Sequence, residues 1–247
     1  MKFLHIPLYL IFLVNGCFGQ KKDVEIKENN ALKSGLPPTR EIVTGQINYE
    51  THANFKKLSP QFSSKAIYLQ NVVAEKFEEM CTAALKDGVS LKAISGARNF
   101  NYQKGIWDRK WELNKSKDSI AIMKSILKFS SMPMTSRHHW GTDIDINSLE
   151  NTYFESGKGL KEYEWLSKNA NKFGFCQVYT SKESGRTGYE MEKWHWSYMP
   201  ISETYLNFYK KNIQYKDIKG FNGAKLAEKV RAIEDYVHGI NKNCSKN

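Results

Sequence analysis

Hydrophobic residues recur along this chain with the two spacings that helices and strands impose. Between residues 66 and 86, Val72, Val73, Phe77, Met80 and Leu85 return near helical spacing, and Asp87-Gly88 closes the run as a helix stop. Residues 89–94 alternate as a strand does. A second helix is expected over 102–113, where Ile106 and Trp107 lie one turn before Lys110 and Trp111. From Thr142 to Ile146 aspartate alternates with isoleucine, the mark of a strand with one polar and one buried face. Phe173 to Tyr179 and Trp194 to Tyr198, rich in aromatic and β-branched residues, read as two more strands. Toward the C-terminus Leu226, Val230, Ile233, Val237 and Ile240 follow at steps of four, three, four and three, which predicts an amphipathic helix over 222–241 packed on the domain. Helices and short strands mix without regular strand-helix-strand alternation, so the expected class is α+β rather than a doubly wound sheet.

The first residues follow another pattern. Met1-Lys2 precede a mainly apolar stretch from Phe3 that ends in an unbroken run, Leu8 to Val14, and then Asn15-Gly16-Cys17. This is the layout of a signal peptide over residues 1–19. It is too short to supply the roughly 20 apolar residues that cross a bilayer. The expected location is therefore the periplasm or cell envelope. Val14-Asn15-Gly16-Cys17 is similar to the lipobox of bacterial lipoproteins, which would attach the chain to a membrane through a lipidated Cys17. Residues 20–40, rich in Lys, Glu and Asn and carrying Pro37-Pro38, read as a flexible tether.

Composition refines this picture. With 247 residues and 40% hydrophobic content the chain can build a packed core. The net charge of +11 is spread over scattered lysines with no aromatic and basic binding motif, so nucleic acid is not an expected partner, and peptidoglycan or an anionic lipid surface is nearer at hand. Cys81, Cys176 and Cys244 lack C-x-x-C spacing, which predicts neither a disulfide framework nor a cysteine metal site, and at most one bridge. A monomer is expected.

Three clusters hold the residue types that chemistry needs: Ser95 to Gln103, Ser136 to Asp145, and Glu192 to Trp196. The second and third set histidines beside carboxylates. A catalytic zinc site needs three nitrogen or oxygen ligands and one open position for water, which two histidines and one aspartate satisfy. A single histidine is more often a surface or hydrogen-bonded residue, so only the joint pattern carries weight. A competing pattern exists in Ser125-x-x-Lys128, Ser167-x-Asn169 and Arg186-Thr187-Gly188, the degenerate elements of penicillin-binding serine peptidases. They crowd into residues 125–188, tighter than that larger fold would set them.

The clusters resemble those of the VanY-type D-alanyl-D-alanine carboxypeptidases, in the metallopeptidase superfamily that also includes D,D-dipeptidases and the Hedgehog signalling domain. The shared signature is S-x-H-x-x-G-x-x-x-D followed by E-x-W-H. Ser136, His138, Gly141 and Asp145 fill its first part, and Glu192, Trp194 and His195 its second. Ser95, Gly96, Arg98 and Gln103 resemble the family's substrate-binding segment. The resemblance implies a small, mainly antiparallel sheet flanked by helices, a peptidase domain over residues 41–205 and a helical extension over 206–247. It implies zinc held by His138, Asp145 and His195, and Glu192 as general base. Arg98, Gln103 and Ser136 would bind substrate, with Arg98 either stabilising the oxyanion or clamping a terminal carboxylate. The implied reaction is removal of the terminal D-Ala from peptidoglycan stem peptides. An endopeptidase of the same superfamily and a non-catalytic zinc module that binds peptides are the alternatives.

Two positions depart from the family pattern. Asp143 stands where Ala is frequent, and Arg137 where Glu or Gln is frequent. On a strand Asp143 shares a face with Asp145, so it either lines the site to meet a substrate amino group or remains a rim carboxylate. His139 competes with His138, and the family register alone favours His138. Glu192 and His195, three apart, would point to opposite sides of a regular strand, so a bend or bulge is required there. Trp194 and Trp196 are expected in the core or as pocket walls.

Overall fold

The computed structural model describes residues 35–115 and 118–245. The signal peptide, the Cys17 lipobox and most of the tether lie outside the described residues. From Leu36 onward the chain is fastened. Its amide donates to the Gln70 side chain and its carbonyl accepts from the Tyr205 hydroxyl.

A two-stranded antiparallel ribbon pairs β1 (Phe55–Lys57) with β2 (Tyr68–Gln70). The main sheet has four antiparallel strands, β3 (Ala93–Ser95), β4 (Asp143–Ile146), β5 (Phe175–Gln177) and β6 (His195–Tyr198), in the spatial order β3-β4-β6-β5. Among the described residues six α-helices surround them: α1 (Arg40–Val43), α2 (Asn71–Lys86), α3 (Phe100–Glu112), α4 (Ser119–Ile126), α5 (Gly157–Asn169) and α6 (Met199–Asn212). The class is α+β with a small antiparallel sheet, as the sequence predicts.

The core lies between α2 and the sheet. Val73, Phe77, Met80 and Ala84 line the buried face of α2, and Phe77 meets Phe175 edge-on at 6.3 Å. Ile144 and Ile146 are fully buried, whereas Asp143 and Asp145 alternate with them on the opposite face of β4. The antiparallel register sets Asp145 opposite His195 and Asp143 opposite Ser197. Polar groups on this one face are thereby grouped by the pleat.

Three expectations need revision. The stretch read as one helix over 66–86 is divided, because Tyr68 to Gln70 pair with β1 and the helix starts only at Asn71. The strand read over 89–94 shrinks to β3, since Ser90 and Lys92 spend backbone groups on the Asn147 side chain instead of a ladder. The tail over 222–241 is helical but not one α-helix. It runs as a 3₁₀ turn at Ala224–Leu226 and a π-helical turn at Ala232–Val237, separated where Arg231 takes a left-handed φ of 53°. Its stripe still packs inward, with Val230, Ile233, Val237 and Ile240 buried. A disulfide from Cys176 on β5 to Cys244 fastens the tail to the sheet edge, leaving Cys81 buried as a thiol.

Candidate metal and catalytic site

His138 sits in a 3₁₀ turn, Arg137–Trp140, immediately before β4. Gly141 closes that turn at φ 68°, and a Cβ there would fall 2.4 Å from the Phe55 ring, so both backbone and space call for glycine. The turn aims His138 at the polar face of β4. His138 Nδ1 lies 2.8 Å from the Gly96 carbonyl, the bond of an N–H donor, which leaves Nε2 as the lone-pair nitrogen. That Nε2 is 3.3 Å from Asp145 Oδ2 but hydrogen-bonded to nothing. His195 faces Asp145 across the sheet, with its Nδ1 3.1 Å from Asp145 Oδ1, again without hydrogen-bond geometry. Its other nitrogen, Nε2, lies 2.9 Å from Asp143 Oδ2. Ligand atoms of His138, Asp145 and His195 all fall within 4.8 Å of one another. His138 Nε2 and Asp145 Oδ1, buried and hydrogen-bonded to nothing, meet beside His195 Nδ1 in a space that fits a metal ion, and two imidazoles with one carboxylate fit a catalytic zinc.

His139 is turned the other way. Its Nδ1 lies 2.6 Å from the Arg98 carbonyl and its Nε2 accepts the Met134 amide at 3.1 Å. Both ring nitrogens are used. Burial lowers its pKa to about 3, so it stays neutral in the fold.

Asp143 is fully buried behind the ligand set and is neither on a rim nor available to a substrate. Its Oδ2 takes Arg137 Nε at 2.8 Å and His195 Nε2, and its Oδ1 takes the hydroxyls of Thr142 and Ser197. The two departures from the family pattern are thus the two halves of one buried ion pair. Burial alone would raise the Asp143 pKa, but the Arg137 guanidinium and His195 outweigh it and hold the carboxyl below its usual range. A carboxylate on the far nitrogen of a metal-binding imidazole fixes the ring's tautomer and orientation.

Glu192 precedes β6 in a turn in which the His195 amide donates to the Glu192 carbonyl at 3.3 Å. That turn is the bend the three-residue spacing demands, and it brings Glu192 Oε2 to 3.5 Å from His195 Nδ1. Burial pushes the Glu192 pKa up to about 8. The Tyr179 ring lies 4.6 Å from the His195 ring, and its carbonyl accepts the Glu192 amide.

Before the ligand set opens a cavity of about 580 Å³ whose walls include Arg98, Lys110, Tyr179, Tyr189, Glu192 and Trp194. Arg98 is held by its backbone between His138 and His139, and its Nε is buried without a partner. Gln103 and Ser136 are not on the cavity wall. Both are fully buried, and Gln103 Nε2 instead donates to the carbonyl of Ser131, which is on that wall. Trp196 is buried in the core, as expected for one of the two tryptophans, while Trp194 walls the cavity. Ser125, Lys128 and Ser167 are exposed, and neither they nor Asn169, Arg186, Thr187 and Gly188 line the cavity, so the serine-peptidase pattern gathers no site. Tyr179, Tyr189 and Lys110, which no motif marks, are among the wall residues that the sequence does not single out.

The sequence model of the VanY family, described as D-alanyl-D-alanine carboxypeptidase, matches residues 66–201. A Bacillus subtilis (strain 168) protein, YodJ, that is named as a carboxypeptidase is 31% identical over 137 residues, 53% of this chain and 46% of that protein. The D-alanyl-D-alanine carboxypeptidase of Enterococcus faecium is 28% identical over 136 residues, 55% of this chain and 39% of that one. This chain therefore spans less than half the length of these curated relatives. Among solved structures, the LdcB LD-carboxypeptidase is similar with a TM-score of 0.51 at 23% identity, covering 77% of this chain and 79% of its own, a likeness of fold.

Proposed function

The chain belongs to the VanY family of D-alanyl-D-alanine carboxypeptidases, and on that premise we propose that it is a zinc metallopeptidase that removes the terminal D-Ala from peptidoglycan stem peptides. One observation carries the reading: ligand atoms of His138, Asp145 and His195 lie within 4.8 Å of one another, His138 Nε2 and Asp145 Oδ1 being buried and free of hydrogen bonds, beside a buried carboxylate, Glu192. A binding module has no need of that fourth group.

In this reading His138 and His195 bind zinc through Nε2 and Nδ1, and Asp145 through a carboxylate oxygen. Zinc supplies a Lewis acid that polarises the scissile carbonyl and acidifies water. Glu192 takes the proton from the attacking water and returns it to the departing amine. With a divalent cation held by His138, Asp145 and His195, Glu192 would be favoured as the carboxylate a base requires. Arg98, with its buried and unpaired Nε, binds the substrate's terminal carboxylate through its planar fork. Gln103 acts through the cavity wall that it holds at Ser131.

The reading carries an exported protein with it, whose N-terminal signal is removed either before Cys17, leaving that residue as a lipid anchor, or near Gly19 or Gln20, releasing the chain. The Cys176–Cys244 bridge supports this, because disulfides persist in oxidising compartments such as the periplasm. The test is mass spectrometry of muropeptides incubated with the purified protein. Loss of one terminal alanine, suppressed by a chelator, is the expected result. Cuts within the stem would assign an endopeptidase, and intact peptides that nevertheless bind would assign the module.

A further inference from the structure

The cavity holds more positive charge than the proposed reaction uses. Lys65, Arg98, Arg109 and Lys110 line it, against Asp145, Glu150 and Glu192, two of which belong to the metal and catalytic set. Among the described residues none of the four cations has a carboxylate within 4.0 Å. Lys65 and Arg109 are exposed, where that is ordinary. Lys110 is not: it is half-buried on α3, and its ammonium donates to the Ser130 hydroxyl. Burial, then Arg98, then Arg109 press its pKa down, with Glu192 opposing. A half-buried lysine kept beside two arginines and given no acid of its own is unfavourable for folding, and a purely structural position would answer it with a carboxylate.

We propose that Lys110 forms a second anion subsite, which takes a carboxylate carried along the substrate peptide in addition to the terminal carboxylate at Arg98. This rests on the peptidase reading and specifies its substrate: a peptide with at least two carboxylates rather than one whose internal acids are amidated. Both groups lie on the wall of the same cavity, so one extended peptide touches Arg98 with its end and Lys110 with an earlier residue. The chemistry has two sources in a stem peptide, the free α-carboxylate of a γ-linked glutamate and the side-chain carboxylate of a diamino diacid at the next position. Arg109, at the cavity edge on the same helix, adds to the local potential without being buried.

The experiment uses the mature chain and two pairs of synthetic pentapeptides ending in D-Ala-D-Ala. One pair has the glutamate α-carboxylate free or amidated, the other the diamino acid's side-chain carboxylate free or amidated. kcat/KM is measured on each, and binding is measured by calorimetry on the Glu192→Gln protein so that substrate is not consumed. The expected result is a preference of about 10-fold for the acid over the amide in one pair, the size of a single charge-assisted bond in a part-solvated cavity, and the pair that shows it names the source. Lys110→Met should bring acid and amide together, and Lys110→Arg should restore most of the difference. Equal handling of acid and amide in both pairs overturns the subsite. So does a Lys110→Met loss that is the same for acid and amide, the mark of a structural role, or a preference that survives Lys110→Met and vanishes in Arg109→Gln. If no peptide is cleaved but the acid form binds more tightly and Lys110→Met erases the difference, the peptidase reading falls and the subsite stands. If no acid preference in binding is seen either, both fall.

Discussion

His138 and His139 are neighbours of one type with opposite surroundings. The first keeps a free nitrogen facing Asp145, and the second spends both nitrogens on Arg98 and Met134. Metal analysis of purified variants should find about one zinc per chain lost in His138→Ala, which leaves an incomplete ligand set, and retained in His139→Ala. His139→Ala should instead melt at lower temperature, because it orphans two buried backbone groups. The opposite metal pattern would reassign the ligand. Arg137 and Asp143 make a second residue-level test. Asp143→Ala alone leaves the Arg137 guanidinium buried and unpaired, a loss of about 3–5 kcal/mol in denaturant titration. Arg137→Gln combined with Asp143→Ala should recover most of it, and a double variant no more stable than the single one would show that the pair is not a unit. The sequence alone shows Asp143 on the face of Asp145. It could not show the partners, since Ser197 is 54 positions away and meets Asp143 only through strand pairing.

Among the elements, the most legible were those whose local signal and tertiary role agree. The alternation in β4 is visible because both faces are committed, one to the core and one to the ligand set. The Gly141 position in the motif is equally explicable, as the left-handed stop that turns the His138 turn into β4. The tail was legible as a stripe but not as a shape. Its course is set by distant groups: the Arg186 guanidinium holds the carbonyls of Thr180, Tyr189 and Gly239 together, and the Asn241 amide donates to the Val178 carbonyl. Nothing local in 222–241 records those contacts. The Cys176–Cys244 bridge closes a span of 68 residues, a long loop whose closure restricts the unfolded chain. Removing it with Cys244→Ala, or by reductant, should lower stability by about 2–4 kcal/mol in urea denaturation. An unchanged midpoint would mean the tail is fastened by its packing and the Arg186 contacts alone.

At the scale of the molecule, the fold brings three separate sequence clusters to one cavity wall. β3 and the loop after it deliver Arg98, the 3₁₀ turn and β4 deliver His138 and Asp145, and the turn into β6 delivers Glu192 and His195. The order of those clusters along the chain was readable, but the cationic lining of the cavity was not, because Lys110 reaches the wall only through the placement of α3, which Gln103 ties to Ser131 and Trp107 to Asn222. On the proposed function this wall holds a catalytic zinc served by Glu192. The most direct measurement is the rate of D-Ala release from a stem pentapeptide as zinc is titrated into chelator-stripped wild type and Glu192→Gln. Wild type should recover in proportion to zinc up to about one equivalent. Glu192→Gln should bind the same zinc yet release D-Ala about 10²- to 10⁴-fold more slowly. Turnover by the stripped wild type, or a full rate in zinc-loaded Glu192→Gln, would contradict it.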